Sequence, residues 1–361
     1  AIERTWAEVM IQLVSFLYQQ WSKDSRLANR VTLLELPNIM ALLSWLESRL
    51  IEEGGLAELS VHIAGEIEHL LSYLGRPRAA ARAVALREQS AAVISKWGSA
   101  RCAAERLRIA RLLKQDQLQV AYEAAQALYK KARSEGTRAY EEADYDLAMA
   151  AHILGGVLKR GDQLEPAIEL FLEAQQLFEL LGKKGAHMAS VAITSQADCL
   201  LILGQLIEAA EKYKAAIKID EVHGASRDIA VGQMQLATIQ LLQRKYKEAI
   251  AGFEAAKHFF EQQNEPTQVA GAWHQLGCAY KNSEQYDQAE FAYRESLKIR
   301  TQLGSLLEQG DSLSELGSLY EEGLNRPEEA IAFYRKAVDR YVDLKDLRKE
   351  GDARSDLAHA L

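Results

Sequence analysis

Four short stretches carry side chains whose types and spacing could do chemistry. Gly310-Asp311-Ser312-Leu313 spells a motif in which the serine serves as a nucleophile, which requires that serine on a strand-to-helix turn beside an oxyanion hole. His62, Glu66 and His69 in HIAGEIEH stand at i, i+4 and i+7, one face of a helix, and Glu66-x-x-His69 is half of a di-iron carboxylate pattern. Leu181 to Ala186 reads LGKKGA, a glycine–lysine cluster of the kind that cradles phosphate. Cys102, Cys199 and Cys278 are thiols that would react if a nearby cation favoured the thiolate.

Each chemistry then asks for something its surroundings withhold. Leu313 falls on an apolar helical stripe and Gly351-Asp352 repeats the same opening, so Ser312 is expected inside a helix. A di-iron site needs a second E-x-x-H and further carboxylates, and the chain has no second copy, so the HIAGEIEH face is expected to be surface or partly packed. LGKKGA lacks the G-x-x-x-x-G-K-[ST] spacing and follows a helix ending near Leu180, which suits a helix C-terminus better. No basic cluster accompanies Cys199 or Cys278, which are expected as small buried side chains. The expectation is a chain that is not an enzyme, with no catalytic residue, no cofactor and no metal.

The composition is that of an ordinary globular protein. The 361 residues are 48% hydrophobic and 26% charged, with only 5 Pro and 22 Gly, as in a soluble globular protein with few long loops. A net charge of −8 argues against a nucleic-acid partner, which favours a basic surface. Three scattered cysteines imply no disulfide framework, and no apolar run approaches a membrane span or signal peptide. A cytoplasmic setting and no membrane partner are expected. The chain starts at Ala1 without a methionine, which suggests a piece of a larger protein. One charge asymmetry stands out: Gly75 to Arg111 holds nine Lys or Arg against only Glu88 and Glu105. Arg101, Arg108 and Arg111 share a helix face, either an ordinary solvated face or a dock for an acidic partner.

The elements that would carry these residues repeat. In GAWHQLGCAYKNSEQYDQAEFAYRESLKI, Trp273, Leu276, Gly277 and Tyr280 form one helical stripe. After a turn at Asn282 to Gln285, Ala289, Tyr293 and Leu297 form a second. Forty residues on come Leu313, Leu316, Gly317 and Tyr320, then Ala330, Tyr334 and Ala337, one place late after GLNRPEEA. Forty back come Leu236, Ala237, Tyr246, Ala249, Phe253 and Ala256, and before them Ala197, Leu200, Ala209, Tyr213 and Ala216. Leu154, Gly155, Ala167, Phe171 and Ala174 follow the same order two residues out of phase. Gly277 and Ala289 are expected where paired helices cross, and Tyr293 and Phe253 where a gap to the next pair must be filled. Pro37, Pro77, Pro166, Pro266 and Pro327 all suit a first helical turn.

This spacing resembles the tetratricopeptide repeat (TPR), and the period of forty resembles the longer repeats of kinesin light chains, Pins-type adaptors and bacterial sensor proteins. The resemblance implies an all-α fold, a right-handed α-solenoid of about seven or eight TPR-like helix pairs. The expected organisation is an N-terminal helical segment over 1–54, degenerate repeats over 55–145 with a pair turning at Gly75, and a regular array over 146–361. GDARSDLAHAL ends halfway through a pair, so the array is expected to be truncated there. Glu35 to Leu46, ELPNIMALLSWL, places Ile39, Leu42, Leu43 and Leu46 on one buried stripe with Trp45 as an anchor. It also resembles a segment that follows the NTPase modules of bacterial STAND-type signalling proteins with a repeat sensor.

A TPR array implies recognition along the wall formed by its first helices. By phase, Thr194, Asp198, Leu201, Met234, Thr238, Leu241, His274, Lys281 and Asn282 are expected to line a partner-binding groove, with Leu201, Met234 and Leu241 either as apolar anchors or as positions where the longer helices pack on each other. Lys159, Lys281 and Asn282 are too scattered for the carboxylate clamp that some TPR proteins carry. The expected function is binding of a protein or peptide, as the effector-sensing region of a larger bacterial signalling NTPase whose own NTPase module is an intramolecular partner. The alternative is a free-standing adaptor that bridges two proteins.

Overall fold

A computed structural model of the chain describes residues 2–21, 23–52 and 56–361. The boundary expected between residues 54 and 55 lies outside the described residues. Contacts divide the chain into two compact units, Ala1–Ile229 and Ala230–Leu361, a division with no counterpart in the sequence pattern.

Among the described residues every regular element is helical. The first unit opens with α1 (Ile2–Trp21), α2 (Ser25–Leu34) and α3 (Leu36–Glu52), followed by α4 (Ala57–Tyr73), α5 (Pro77–Val93), α6 (Ser99–Lys114) and α7 (Leu118–Glu135). The pairs then become regular: α8 (Ala143–Arg160) with α9 (Leu164–Leu180), and α10 (Ala186–Ile202) with α11 (Leu206–His223). α12 (Ser226–Leu242) starts in the first unit and runs into the second, which continues with α13 (Tyr246–Gln262), α14 (Pro266–Asn282), α15 (Tyr286–Leu303) and α16 (Leu306–Ser318). α17 (Pro327–Leu344) and α18 (Leu347–Ala360) complete it. From α4 onward this makes seven pairs and a final helix, a TPR-like architecture preceded by three helices.

Why these segments fold so is visible in the turns. Asp162, Gly204, Arg244 and Glu284 occupy the same turn of successive pairs, with φ of 59°, 75°, 61° and 61°. Only one is glycine, so three side chains accept a left-handed conformation that costs about 1–2 kcal/mol. The expected insertion at GLNRPEEA is absorbed differently: α16 ends in a π-helical turn, Leu319–Gly323, which takes up the extra residue without breaking the stack.

The core follows a four-position rule on the second helices. Ala167, Phe171, Ala174 and Phe178 on α9 are all buried, as are Ala209, Tyr213, Ala216 and Asp220 on α11. Ala249, Phe253, Ala256 and Phe260 repeat it on α13, Ala289, Tyr293, Ser296 and Arg300 on α15, and Ala330, Tyr334, Ala337 and Tyr341 on α17. The small first member lets the paired helix approach; the large second member contributes about 2–3 kcal/mol by burial. Tyr293 does not simply fill a gap to the next pair: its ring lies against Gly277 of its own pair, while its hydroxyl reaches Glu315 on α16 at 3.1 Å. Ahead of the repeats, Ile39, Leu42, Leu43 and Leu46 are buried with Ala7, Met10 and Val14 of α1, as the stripe in ELPNIMALLSWL requires.

Candidate recognition walls

First helices of neighbouring pairs are joined to one another by polar side chains one repeat apart. In the first unit, Lys159 of α8 donates to Asp198 of α10 at 2.9 Å, and His152 Nε2 lies 3.2 Å from the Ser195 hydroxyl. Asp198 also accepts the Tyr213 hydroxyl at 2.5 Å. In the second unit, Lys281 of α14 donates to Glu315 at 3.2 Å and to Ser318 at 2.8 Å. Lys349 of α18 pairs with Asp311 of α16, which also accepts the Tyr341 hydroxyl at 2.9 Å. Each wall is therefore a ladder of charge pairs. Where the large second-helix residue is tyrosine and not phenylalanine, its hydroxyl passes between the helices to a wall carboxylate.

In the second unit this wall opens into a cavity of about 330 Å³ lined by His274, Asp311, Glu315, Tyr341, Lys349 and Asp352, among others. Burial, then the adjacent Arg300 guanidinium, holds His274 neutral, down to about 4; its Nδ1 is 3.4 Å from Arg300 Nη1. At the rim, burial and the neighbouring Asp352, Glu321 and Glu315 carboxylates raise the Asp356 carboxyl above its usual range. Carboxylates thus outnumber cations around the opening.

The residues expected to line a groove fall into two sets. Thr194, Asp198 and Leu201 lie on α10 of the first unit, where Asp198 is a rung of the ladder and Leu201 is half-buried. Met234, Thr238, Leu241, His274, Lys281 and Asn282 lie in the second unit. Met234 and Leu241, expected either as apolar anchors or as packing positions, are partly open to solvent, as Leu201 is. They are half-buried against a core cluster containing Ala237, Phe253 and Leu276. The apolar side chains left exposed at the ends of α10 and α12 are Ile202 and Leu242. Thr238 donates to its own helix at Met234 O, and Asn282 to Cys278 O.

The basic stretch is largely occupied within the first unit. Arg101 Nη1 donates to the carbonyls of Ala91 and Ile94 at 3.2 and 3.0 Å, tying α6 to the end of α5. Arg108 pairs with Glu105 at 2.9 Å and Arg111 with Glu88. Arg87, fully buried, pairs with Glu68, and Arg106 with Asp146. Arg101, Arg108 and Arg111, expected to share a face, thus each have a partner within the unit. Sequence reasoning counted charges within one window, whereas Glu68 and Asp146 lie outside it.

The chemical motifs are built into packing. Ser312 is buried mid-helix and accepts from Arg300 Nη1 at 2.7 Å, so its hydroxyl offers no face to a substrate. Glu66 accepts from Ser15 at 2.7 Å, while the His69 ring sits among Tyr18, Trp21 and Tyr73, with centroids 5.2, 4.7 and 4.9 Å away. Burial raises the thiols of Cys102 to about 12 and of Cys278 to about 11, which leaves them poor nucleophiles at neutral pH. Wall residues that the sequence reading missed include Asp311 and Lys349. Opposite charges one repeat apart were the signal that could have found them.

Residues 268–341 match a family model described as tetratricopeptide repeat. A comparison with curated proteins finds no match. Among solved structures, the chain is similar to a Rap protein complexed with competence and sporulation factor, at 16% identity and a TM-score of 0.60, covering 97% of this chain and 98% of that one. It is also similar to the apo quorum sensor NprR from B. thuringiensis, at 14% identity and a TM-score of 0.58 over 83% of this chain and 79% of that one. A STAND signal-transduction ATPase with a tetratricopeptide-repeat sensor from Pyrococcus horikoshii matches at 14% identity and a TM-score of 0.51, over 84% of this chain and 53% of that one. These likenesses establish the fold: the chain is built of TPR-like helix pairs. Among the described residues no helix is long and apolar enough to cross a membrane.

Proposed function

We propose that the chain is a recognition scaffold that binds a protein or peptide segment along its first-helix walls, with the cavity of the second unit as an anchoring site. TPR helix pairs are typical of non-catalytic binding scaffolds, and a similar structure is a Rap protein held in complex with a factor. The observation that carries the reading is the cavity itself: about 330 Å³, open to solvent, with Asp352 and Asp356 at its edge and carboxylates in excess. A partner segment presenting a lysine or arginine side chain relieves the mutual repulsion of those carboxylates. Lys281, His274 and Asn282 in this unit, and Thr194, Asp198 and Leu201 in the other, are the further wall positions proposed to touch a partner.

The finer reading is the effector-sensing region of a larger cytoplasmic signalling NTPase, restraining or releasing that module as an intramolecular partner. It is supported by the likeness to a STAND ATPase with a TPR sensor and by ELPNIMALLSWL in α3. The test is a selection of random peptides against the full chain. Peptides with a basic residue should be enriched, and Asp352→Asn with Asp356→Asn should weaken them at least tenfold while the circular dichroism stays unchanged, since both side chains are exposed. Enriched peptides that ignore this double substitution would refute the anchoring role.

A further inference from the structure

The fourth position of the second-helix rule is filled by a large buried side chain at Phe178, Phe260, Arg300 and Tyr341. On α11 it is Asp220, equally buried at 3% exposed but far smaller. In the corresponding place on α15, Arg300 fills the space toward the next first helix with a cation, bonding Glu308 O at 2.8 Å and Ser312 at 2.7 Å. Around Asp220 the arrangement is inverted. Asp228 on the first turn of α12 contributes a second carboxylate, and His187 on α10 an imidazole; one donor atom from each of the three lies within 4.8 Å of the others. His187 Nδ1 is 3.6 Å from Asp228 Oδ2.

A buried carboxylate in the last turn of α11 also sits at the negative end of its helix, where an anion is disfavoured. Two carboxylates, one of them buried, and an imidazole thus converge here from three helices.

We infer that His187, Asp220 and Asp228 form a binding site for a first-row divalent transition-metal ion. One imidazole and two carboxylates are a borderline-hard donor set suited to Zn²⁺, Co²⁺ or Mn²⁺. Ligand bonds of about 2.0–2.2 Å place tetrahedral donors about 3.3–3.6 Å apart; the His187–Asp228 spacing already meets this, and Asp220 offers a donor atom within 4.8 Å of both. Water completes the coordination from the exposed His187 side. The ion takes the place that Arg300 takes on α15 and ties the ends of α10, α11 and α12 together. Three ligands on three helices, 33 and 8 residues apart, make no motif, which is why the sequence leads one to expect no metal.

The full chain, free of any histidine tag and stripped with chelator, is titrated calorimetrically with Zn²⁺, and with Co²⁺ read by its visible absorption. One ion per chain is expected, with binding weakened at least tenfold by His187→Ala and by Asp220→Asn, and unchanged by His258→Ala, a substitution at an exposed histidine on α13. Zn²⁺ at about 100 µM should raise the melting temperature of the wild type and not of Asp220→Asn. If Asp220→Asn fails to fold, Asp228→Asn at the half-buried ligand must give the same loss. No saturable binding at that concentration, or binding indifferent to these substitutions, overturns the proposal and leaves His187 and Asp228 as a simple ion pair.

Discussion

Alanine placed at Gly277 and at Gly271 should move stability in opposite directions. Both glycines lie on α14, and replacing either gains about 1 kcal/mol of helix propensity. At Gly271 an added Cβ meets nothing within 4 Å, so Gly271→Ala should stabilise by up to that amount. At Gly277 it would stand 2.5 Å from Cδ1 and Cε1 of Tyr293. That ring is fully buried and its hydroxyl is held by Glu315, so it cannot swing aside. Overpacking of this kind costs about 1–3 kcal/mol, so Gly277→Ala should be about 2 kcal/mol less stable than Gly271→Ala. Urea unfolding followed by fluorescence, in which Trp273 on the same helix takes part, measures the difference locally, which matters because repeat arrays can unfold in parts. In a Tyr293→Leu background the penalty should vanish and Gly277→Ala become neutral or stabilising. If Gly277→Ala stabilises the wild type as Gly271→Ala does, the close approach of α14 and α15 is wrong.

The other expectations concern charge and the apparent motif. Burial, then Lys159, lowers the His152 imidazole to about 4, below an unfolded value near 6.5. The unfolded chain therefore takes up the proton first, and stability is lost as pH falls from about 6.5 toward 4, by up to about 3 kcal/mol from this group; His152→Gln should flatten that part of the profile in thermal melts between pH 4 and 7. Arg101→Ala should destabilise by about 1–2 kcal/mol, since it frees two backbone carbonyls, whereas Arg108→Ala, at an exposed pair with Glu105, should stay within about 0.5 kcal/mol; equal melting temperatures would return Arg101 to the solvated face. Ser312→Ala should cost about 1–3 kcal/mol by depriving buried Arg300 of an acceptor, and any hydrolysis of a simple ester by the chain should be unaffected; an activity lost with this substitution would restore the nucleophile reading.

Helix pairing and the identity of the buried stripes were legible because one side chain in every three or four obeys a forty-residue period, and the same steric rule holds in each pair. The wall was less legible. Phase gives the direction of a side chain but not how much of the helix its neighbours cover, so it leaves Met234 and Leu241 open between anchoring and packing, and only the fold shows them half packed. Net charge along Gly75 to Arg111 is equally blind to partners such as Glu68 and Asp146, which only folding brings near. The division after Ile229 leaves no mark on composition, since α12 runs through it as one helix. His187, Asp220 and Asp228 converge from three helices with no shared spacing, and nothing short of the fold could have assembled them.

Identical repeats can slide past one another: a stack of interchangeable pairs folds almost as well one step out of place. The fourth position of the second helices removes that degeneracy. Phe178 and Phe260 demand an apolar seat, Arg300 demands the Glu308 carbonyl and Ser312, Tyr341 carries the Lys349 ammonium of α18 over its ring, and Asp220 faces His187 and Asp228. A one-step slip sets a buried guanidinium against an apolar seat or a phenyl ring against two carboxylates, and an unpaired buried charge costs several kcal/mol. Each junction therefore carries its own address. Excising one pair, as repeat arrays do by recombination, would join two addresses that do not match, so this array should tolerate substitution within a repeat far better than gain or loss of a whole one.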